Sequence, residues 1–210
     1  MKKLAIIGSG DLGQQIAYQA TTDNQFNVVG FFDDFTEKDS VVSGKKILGK
    51  LSEVQNAFSN KIFDEIIIGI GYKHLDFREK IFNTLNKKIP FATFIHSSCF
   101  VDASCKIGNG VCVFPGSVLD QKVIIKDNVF INVGSIIAHD SKIENHTFIS
   151  PSVAIAGFVS IGKRCNIGIN STLIDNISIV DDVQIGGGTV VVKSIEKSGL
   201  YVGNPSRFIR

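Results

Sequence analysis

In this 210-residue chain, the residue pair best suited to acid–base chemistry is His139-Asp140. An imidazole with an ordinary pKa of about 6.5 can accept a proton near neutral pH, and a neighbouring carboxylate can fix its tautomer and raise its basicity. The pair lies in the stretch FINVGSIIAHDSKIENHTFISP, residues 130–151, in which every sixth residue from Ile131 to Ile149 is isoleucine. His139 is therefore either a catalytic base or a polar residue at the corner of a repetitive structure.

The repeat extends far beyond this stretch. An aliphatic residue occupies every sixth position from Val101 to Val191, and a second column of small or β-branched residues follows four positions later, from Cys105 to Thr189. Such residues suit a tight inward position, and a period of six is typical of a parallel β-helix. The Asn and Gly residues between the columns fit tight turns. We expect a three-sided prism with one hexad per face, so that sixteen hexads make about five coils.

Residues 1–95 show a different pattern. KLAII, FNVVGFF, EIIIGI and FATFI read as strands, whereas LGQQIAYQATT, KLSEVQNAF and HLDFREKIFNTLNKK read as helices. Strands that alternate with helices indicate a small parallel α/β sheet. The predicted domains are therefore an α/β, Rossmann-like half domain over 1–95 and an all-β helix over 96–210.

A glycine-rich motif opens the first predicted helix. Gly8, Gly10 and Gly13 match G-x-G-x-x-G between a strand and a helix, the context in which such a loop cradles phosphate. Asp33 lies twenty residues after Gly13, at the end of the second strand, where a ribose-binding carboxylate is expected. The chain has only one mononucleotide-binding half, so a single nucleotide fits better than a dinucleotide. The alternative is that these glycines only make tight turns.

Composition excludes several other classes. The 22 basic and 20 acidic side chains nearly cancel, so no nucleic acid or anionic membrane partner is predicted. No apolar run approaches a membrane span and MKKLAIIGSGD lacks the features of a signal peptide, so we expect a cytoplasmic protein. The four cysteines lack C-x-x-C spacing, and Cys99, Cys105 and Cys165 fall in the small inward column as core residues.

The hexads resemble those of left-handed β-helix acyltransferases that use acetyl-CoA. The ordering IIGSGDLG … FFDD … IGIGYKH … FIHSSCFVDASCKIGNG … AHDSKI … GNPSR covers nearly the whole chain. It resembles the nucleotide-sugar N-acetyltransferases of the bacillosamine and perosamine type, with sialic acid O-acetyltransferases as relatives. The resemblance implies left-handed coils, acetyl-CoA as acetyl donor, a nucleotide-linked 4-amino sugar as acceptor, no metal, and a homotrimer with active sites between neighbouring prisms.

The resemblance also implies roles for particular residues. His139 matches the family's catalytic base and Asp140 its acidic neighbour, while Asn132 matches an asparagine that lines the sugar pocket. The nucleotide is expected near Gly8, Gly10, Gly13, Asp33 and Asp34, with Gly71 bordering the same crevice. The positions expected to line the cofactor groove are Phe148, Gly157, Gly168 and Ile169, with Arg207 either near the cofactor phosphates or a solvated charge.

The other histidines are less informative. The family's second histidine, nine residues after the base, corresponds here to Phe148, so a backbone N–H could contact the thioester carbonyl instead. His146 is expected to be a solvated corner residue and His96 a structural one, while His74 opens a helix beside the nucleotide crevice.

Four phenylalanines on the prism faces suggest association, and two other functions stay open. Phe114, Phe130, Phe148 and Phe158 lie off the inward columns, and apolar residues exposed on flat faces would favour association. One rival keeps the fold and acetylates a sugar hydroxyl, as in sialic acid O-acetylation. The other is a non-catalytic, nucleotide-sugar-binding trimer.

Overall fold

A computed structural model describes residues 1–210, which divide into two compact units, Met1–Phe94 and Ile95–Arg210. The first unit contains five strands and three α-helices. In chain order these are β1 (Lys3–Ile7), α1 (Asp11–Thr22), β2 (Asn27–Phe32), β3 (Val41–Val42), β4 (Lys45–Gly49), α2 (Val54–Ser59), β5 (Glu65–Ile68) and α3 (Leu75–Leu85). Short 3-10 turns, Leu51–Glu53 and Tyr72–His74, precede α2 and α3.

The sheet of the first unit has the order β3-β4-β2-β1-β5. Its neighbours are parallel, except for the antiparallel β3–β4 hairpin. Residues Leu4–Ile7 of β1 are buried, as expected for a central strand covered on both faces. The carboxyl ends of β1, β2 and β5 therefore share one edge, which is where open α/β sheets bind ligands. The predicted small parallel α/β sheet is confirmed, whereas the hairpin was not predicted.

The predicted strand FATFI is wrong over most of its length. Only Phe94–Ile95 forms a strand, and Phe91 makes a single isolated bridge to Ile66. Pro90 precedes this segment, and a proline has no N–H to donate to a ladder.

From Phe94 onward the chain forms nineteen short strands. They are β6 (Phe94–Ile95), β7 (Phe100–Val101), β8 (Lys106–Ile107), β9 (Cys112–Val113), β10 (Val118–Leu119), β11 (Ile124–Ile125), β12 (Phe130–Ile131), β13 (Ile136–Ile137), β14 (Lys142–Ile143), β15 (Phe148–Ile149), β16 (Ala154–Ile155), β17 (Ser160–Ile161), β18 (Asn166–Ile167), β19 (Thr172–Leu173), β20 (Ser178–Ile179), β21 (Val183–Ile185), β22 (Val190–Val191), β23 (Gly199–Val202) and β24 (Arg207–Phe208).

These strands stack into the three faces of a prism. The first prism sheet is β7-β10-β13-β16-β19-β22, the second is β8-β11-β14-β17-β20, and the third runs from β6 through β9, β12, β15, β18 and β21 to β23 and β24. Pairing is parallel between residues 18 apart, as in Leu119 with Ile137 and Ile137 with Ile155, as far as β21 and β22. β23 then pairs with β21 in parallel between residues 16 apart, and β23 and β24 form an antiparallel hairpin. One coil is therefore three hexads, and the predicted left-handed parallel β-helix is confirmed.

The two predicted columns form the core of the prism. Aliphatic positions from Val113 to Val191 are at most 3% exposed, and Val101 and Ile107 in the first coil are half-buried. The polar members of the second column are hydrogen-bonded inside the wall. Ser135 Oγ donates to the carbonyl of Ser150 at 3.0 Å, and Cys165 Sγ lies 3.2 Å from the carbonyl of Val180, fifteen residues on in each case. The same bond recurs at Ser117, Ser141, Thr147 and Ser171.

Burial raises the pKa of the Cys165 thiol to about 12. Burial likewise raises the pKa of Cys105. A thiolate is the reactive form of cysteine, so these thiols are inert at neutral pH. They act as small core residues, as the sequence predicted.

The prediction of exposed phenylalanines is wrong at three of four positions. Phe114, Phe130 and Phe148 are buried, with Phe130 4.9 Å from Phe114 and 4.8 Å from Phe148 between ring centroids. Hexad register tells which residues point out of the prism but not which outward face is covered. Only Phe158 is exposed, at 55%.

Exposed apolar residues instead follow the first prism sheet. Phe100 is 58% exposed and Ile136 is 49% exposed, with half-buried Val118 paired between them. We call this row the first-sheet stripe (Phe100, Val118, Ile136). No helix in either unit has the length and apolar character that crossing a membrane requires.

Candidate active site

His139 and Asp140 occupy the corner between β13 and β14. Asp140 adopts the left-handed conformation, with φ of 57°, which aspartate tolerates better than most residues because its short side chain can hydrogen-bond locally. His139 Nδ1 lies 3.1 Å from Asp140 Oδ2. With Asp140 ionised, this contact makes Nδ1 the protonated ring nitrogen and leaves Nε2 as the acceptor. The structure thus brings the two predicted catalytic residues together, with the His139 side chain 49% exposed.

The next coil supplies the surface against which the imidazole lies. A Cβ at Gly157 would be 2.7 Å from His139 Cε1 and 2.8 Å from Nε2, so a side chain at this position would displace the ring from its place. The backbone N–H of Phe158 donates to the His139 carbonyl at 3.1 Å. The Phe158 ring stands at 88° to the imidazole, 5.2 Å between centroids. Gly157, predicted as a cofactor-groove position, therefore lies directly beside the base.

The preceding coil contributes a cation. Lys122 Nζ lies 3.8 Å from Asp140 Oδ1, the oxygen that does not contact His139. The lysine side chain is 69% exposed, and pairs this exposed contribute at most about 1 kcal/mol.

Asn132 lies at a different corner of the prism, between β12 and β13. Its side-chain oxygen accepts the N–H of Val133 at 2.8 Å, and its own N–H donates to Ile149. Gly168 and Ile169 lie at this same corner two coils further on, between β18 and β19, and Ile169 is 56% exposed. Within one chain, Asn132, Gly168 and Ile169 therefore lie at one corner of the prism, whereas His139 and Gly157 lie at another.

The remaining predicted cofactor positions lie elsewhere. Phe148 is on the third prism sheet, 4% exposed and stacked on Phe130. Arg207 is exposed on β24, in the hairpin that ends the chain. The structure does not bring these two residues to the His139 corner.

The prediction for His146 is half wrong. It lies at a corner with φ of 65°, but it is only 3% exposed, and its Nδ1 lies 3.0 Å from Asn128 Nδ2. His96 fits its structural assignment, because its Nδ1 accepts the backbone N–H of Ser98 at 3.1 Å and lies 2.8 Å from that hydroxyl. His74 ends the 3-10 turn just before α3.

The glycines of the first unit fall into two kinds. A Cβ on Gly13 would lie 1.9 Å from the Gly8 carbonyl oxygen, and one on Gly69 would lie 2.6 Å from Gly13 Cα, so packing requires these glycines. Gly10 and Gly71 have φ of −69° and −76°, and a Cβ on either would meet no atom within 4 Å. Both are the N-cap residues of their helical segments, where glycine is common, and both leave open space in which a ligand can approach the backbone closely.

Asp33 is bound to the glycine loop itself. Its Oδ2 accepts the backbone N–H of Ser9 at 2.8 Å and the Ser9 hydroxyl at 2.7 Å, and its Oδ1 accepts the N–H of Phe35 at 2.9 Å. Partial burial opposes ionisation, but these hydrogen bonds outweigh it and hold the pKa of Asp33 below its usual value. Asp34 Oδ1 accepts the N–H of Leu51 at the start of a helical turn. Both carboxylates thus shape the predicted crevice.

A buried arginine that the sequence did not indicate holds the backbone around Gly69. Arg78 of α3 is 1% exposed, and its guanidinium donates to the carbonyls of Ile68 and Ile70 on either side of Gly69, at 3.1 and 2.6 Å. A buried arginine inside an amphipathic helix pattern gives no sequence signal of this role. No group of three His, Cys, Asp or Glu side chains is arranged to hold a metal ion.

Together, fold and site define a hexapeptide-repeat β-helix protein with a His–Asp corner and an α/β unit that carries a glycine loop. Residues 3–85 match the family described as the PglD N-terminal domain. The chain is also similar to UDP-3-O-acylglucosamine N-acyltransferase of Bordetella pertussis, 38% identical over 102 residues. That match covers 47% of this chain but only 28% of the relative's length.

Two solved structures are similar over the full chain. One is the acetyltransferase domain of PglB from Neisseria gonorrhoeae FA1090, with a TM-score of 0.92 and 26% identity over 100% of both chains. The other is PerB from Caulobacter crescentus in complex with CoA and GDP-perosamine, with a TM-score of 0.92 and 25% identity over 100% of this chain and 98% of PerB. The resemblance predicted from the sequence is confirmed.

Proposed function

We propose that the protein is an acetyl-CoA-dependent N-acetyltransferase that acetylates the amino group of a nucleotide-linked 4-amino sugar. The observation that carries this proposal is the His139–Asp140 pair at an outward corner, with Nδ1 on the carboxylate and Nε2 left to accept a proton. Similarity to PerB, described with CoA and GDP-perosamine, supports the donor and the acceptor class. A second PglB-domain structure, in complex with acetyl coenzyme A, supports the donor.

The reaction needs one proton acceptor. The sugar nitrogen attacks the thioester carbonyl, a C–N bond forms, and His139 Nε2 takes the proton that the nitrogen loses. The C–S bond then breaks and the leaving thiolate acquires a proton, giving the N-acetyl sugar and CoA. Asp140 stabilises the imidazolium that forms in between. A positioned general base typically accelerates such a step about 10²- to 10⁴-fold.

The α/β unit is proposed to hold the nucleotide. Gly10 and Gly71 would let the phosphates approach the backbone, and the N-terminus of α1 favours their negative charge. Gly8 and Gly13 shape the loop, and Asp33 with Asp34 fixes its surroundings. We expect Asp33 to act on the ligand mainly through the loop, because Ser9 and Phe35 already occupy its oxygens.

The proposal includes a homotrimer. The first-sheet stripe supplies an exposed apolar surface for a second copy of the chain. Asn132, Gly168 and Ile169 lie at another corner than His139, so a neighbouring copy would bring the sugar pocket and cofactor groove to the base. Phe148 and Arg207 remain predicted cofactor contacts. The proposal also implies a cytoplasmic reaction, because acetyl-CoA is available there.

The experiment is to measure thiol release from acetyl-CoA with UDP-, dTDP- and GDP-linked amino sugars. Matched sugars that carry a hydroxyl in place of the amine, together with free sialic acid, test O-acetylation, and acetyl-CoA alone measures hydrolysis. Turnover with one amino sugar well above that with the matched hydroxyl sugar is expected. Turnover with hydroxyl acceptors alone would favour the O-acetyltransferase, and binding of nucleotide sugars without turnover would favour the non-catalytic trimer.

A further inference from the structure

Phe158 is unusual both in its backbone conformation and in its exposure. Its φ is 58°, and it is the only hydrophobic residue among the fourteen non-glycine residues with positive φ. A bulky side chain is disfavoured in this region, which Asn and Asp tolerate far better. The residue is 55% exposed in a single chain, so packing within the chain does not compensate. The equivalent positions on the neighbouring coils are the polar residues Lys122, Asp140 and Asn176.

The contact that this conformation creates is with the base. The Phe158 ring stands at 88° to the His139 imidazole with 5.2 Å between centroids, the edge-to-face geometry that aromatic pairs prefer. Gly157 allows the imidazole to lie against the backbone, and Asp140 holds Nδ1. Phe158 therefore closes a third side of a ring that is otherwise half-exposed. Strain retained at a functional site is a recurring way to hold such a geometry.

We infer that Phe158 is a positioning residue for His139: its ring holds the imidazole in the orientation in which Asp140 keeps Nδ1 protonated and Nε2 faces the acceptor amine. The inference rests on the proposed acetyl transfer. It predicts that a residue better suited to the backbone makes the protein more stable and less active, which a merely structural role would not do.

The test compares Phe158→Asn with the wild-type protein. Asparagine relieves the backbone strain, so Tm should rise by about 2–4 °C. The kcat should fall about 3- to 10-fold, the equivalent of one aromatic pair, with the KM for the nucleotide sugar unchanged. Phe158→Tyr should restore kcat to within about 2-fold, while Phe158→Leu, which keeps an apolar side chain without a ring, should show the loss. If the asparagine variant does not fold, the kcat of Phe158→Leu provides the kinetic test.

Lys61→Asn is the matched control. Lys61 has φ of 59° and is exposed in the loop between α2 and β5, so the same replacement should raise Tm with kcat unchanged. A second readout is independent of activity. The chain has four histidines, so ¹⁵N spectra of the labelled imidazoles resolve His139, identified by its loss in His139→Asn. A single Nδ1–H tautomer is expected in the wild type and a mixture in Phe158→Asn.

Wild-type kcat together with a wild-type tautomer in Phe158→Asn would overturn the inference. A wild-type protein without acetyl transfer to any acceptor would sink the proposed function. The nitrogen spectra would still decide whether Phe158 holds the imidazole, so the two failures are distinguishable.

Discussion

Replacing Gly10 and Gly13 by alanine should separate ligand binding from folding in the α/β unit. At Gly13 the new methyl would lie 1.9 Å from the Gly8 carbonyl oxygen, and this obstacle is backbone that cannot rotate away. Overpacking costs about 1–3 kcal/mol, and we expect the upper end of that range for Gly13→Ala. At Gly10 the methyl meets no atom and φ is already −69°, so the cost is at most about 1 kcal/mol, that of a poorer helix cap.

The effect on binding should have the opposite order. A methyl at Gly10 would stand where the proposed phosphate meets the N-terminus of α1, and a lost hydrogen bond to a charged group costs about 1.5–3 kcal/mol. The dissociation constant of the nucleotide should therefore rise about 10- to 150-fold in Gly10→Ala.

Urea unfolding measures the stability term, and titration calorimetry with UDP, dTDP and GDP measures the binding term. The chain has no tryptophan, and Phe35 is 98% exposed beside Asp33, so a Phe35→Trp background places a single tryptophan next to the loop as a selectively excited reporter of nucleotide binding. Unchanged nucleotide affinity in Gly10→Ala, or wild-type stability in Gly13→Ala, would refute the distinction between the two kinds of glycine.

Three further outcomes follow from the prism and its corner. Ser135→Ala should lower the free energy of unfolding by about 1–2 kcal/mol in urea titrations because the Ser150 carbonyl loses its donor, and Ser135→Cys should lose less. The Cys165 thiol stays protonated in the folded protein up to about pH 12 but ionises near pH 9 when the protein is unfolded. The free energy of unfolding should therefore fall above pH 9 by about 1.4 kcal/mol per pH unit. Cys165→Ser should remove this contribution to the slope, and an unchanged slope would contradict the burial of the thiol. Asp140→Asn suits the same backbone but cannot stabilise imidazolium, so kcat should fall about 10-fold or more without loss of Tm; wild-type kcat would remove Asp140 from the mechanism.

The β-helix is predictable from the sequence because its period is strict. One aliphatic residue per hexad fixes the direction of every side chain, so the core from Val113 to Val191 and the outward corner of His139 follow together. The same period says nothing about what covers an outward face. That is why Phe130 and Phe148 are buried against expectation and why His146 is enclosed at its corner.

The α/β unit was harder to read in detail. The motif placed Gly8, Gly10 and Gly13 on one loop, but the requirement for glycine at Gly13 and not at Gly10 comes from the tertiary approach of the Gly8 carbonyl, which the motif does not encode. The spacing predicted that Asp33 binds the ribose of a nucleotide, whereas in the structure its carboxylate accepts hydrogen bonds from the backbone N–H and the hydroxyl of Ser9. The β3–β4 hairpin was not predicted because its strands carry a weak strand pattern. β3 has only two residues, and β4, KKILG, does not alternate between apolar and polar residues.

The role of His139 as base is the central claim, and steady-state acetyl transfer by His139→Ala tests it most directly. The acceptor should be the amino sugar that the wild type uses best, with folding and nucleotide affinity measured beside kcat. If His139 is the base, kcat should fall about 10²- to 10⁴-fold while nucleotide affinity is retained. A His139→Ala protein that turns over at nearly the wild-type rate would contradict it.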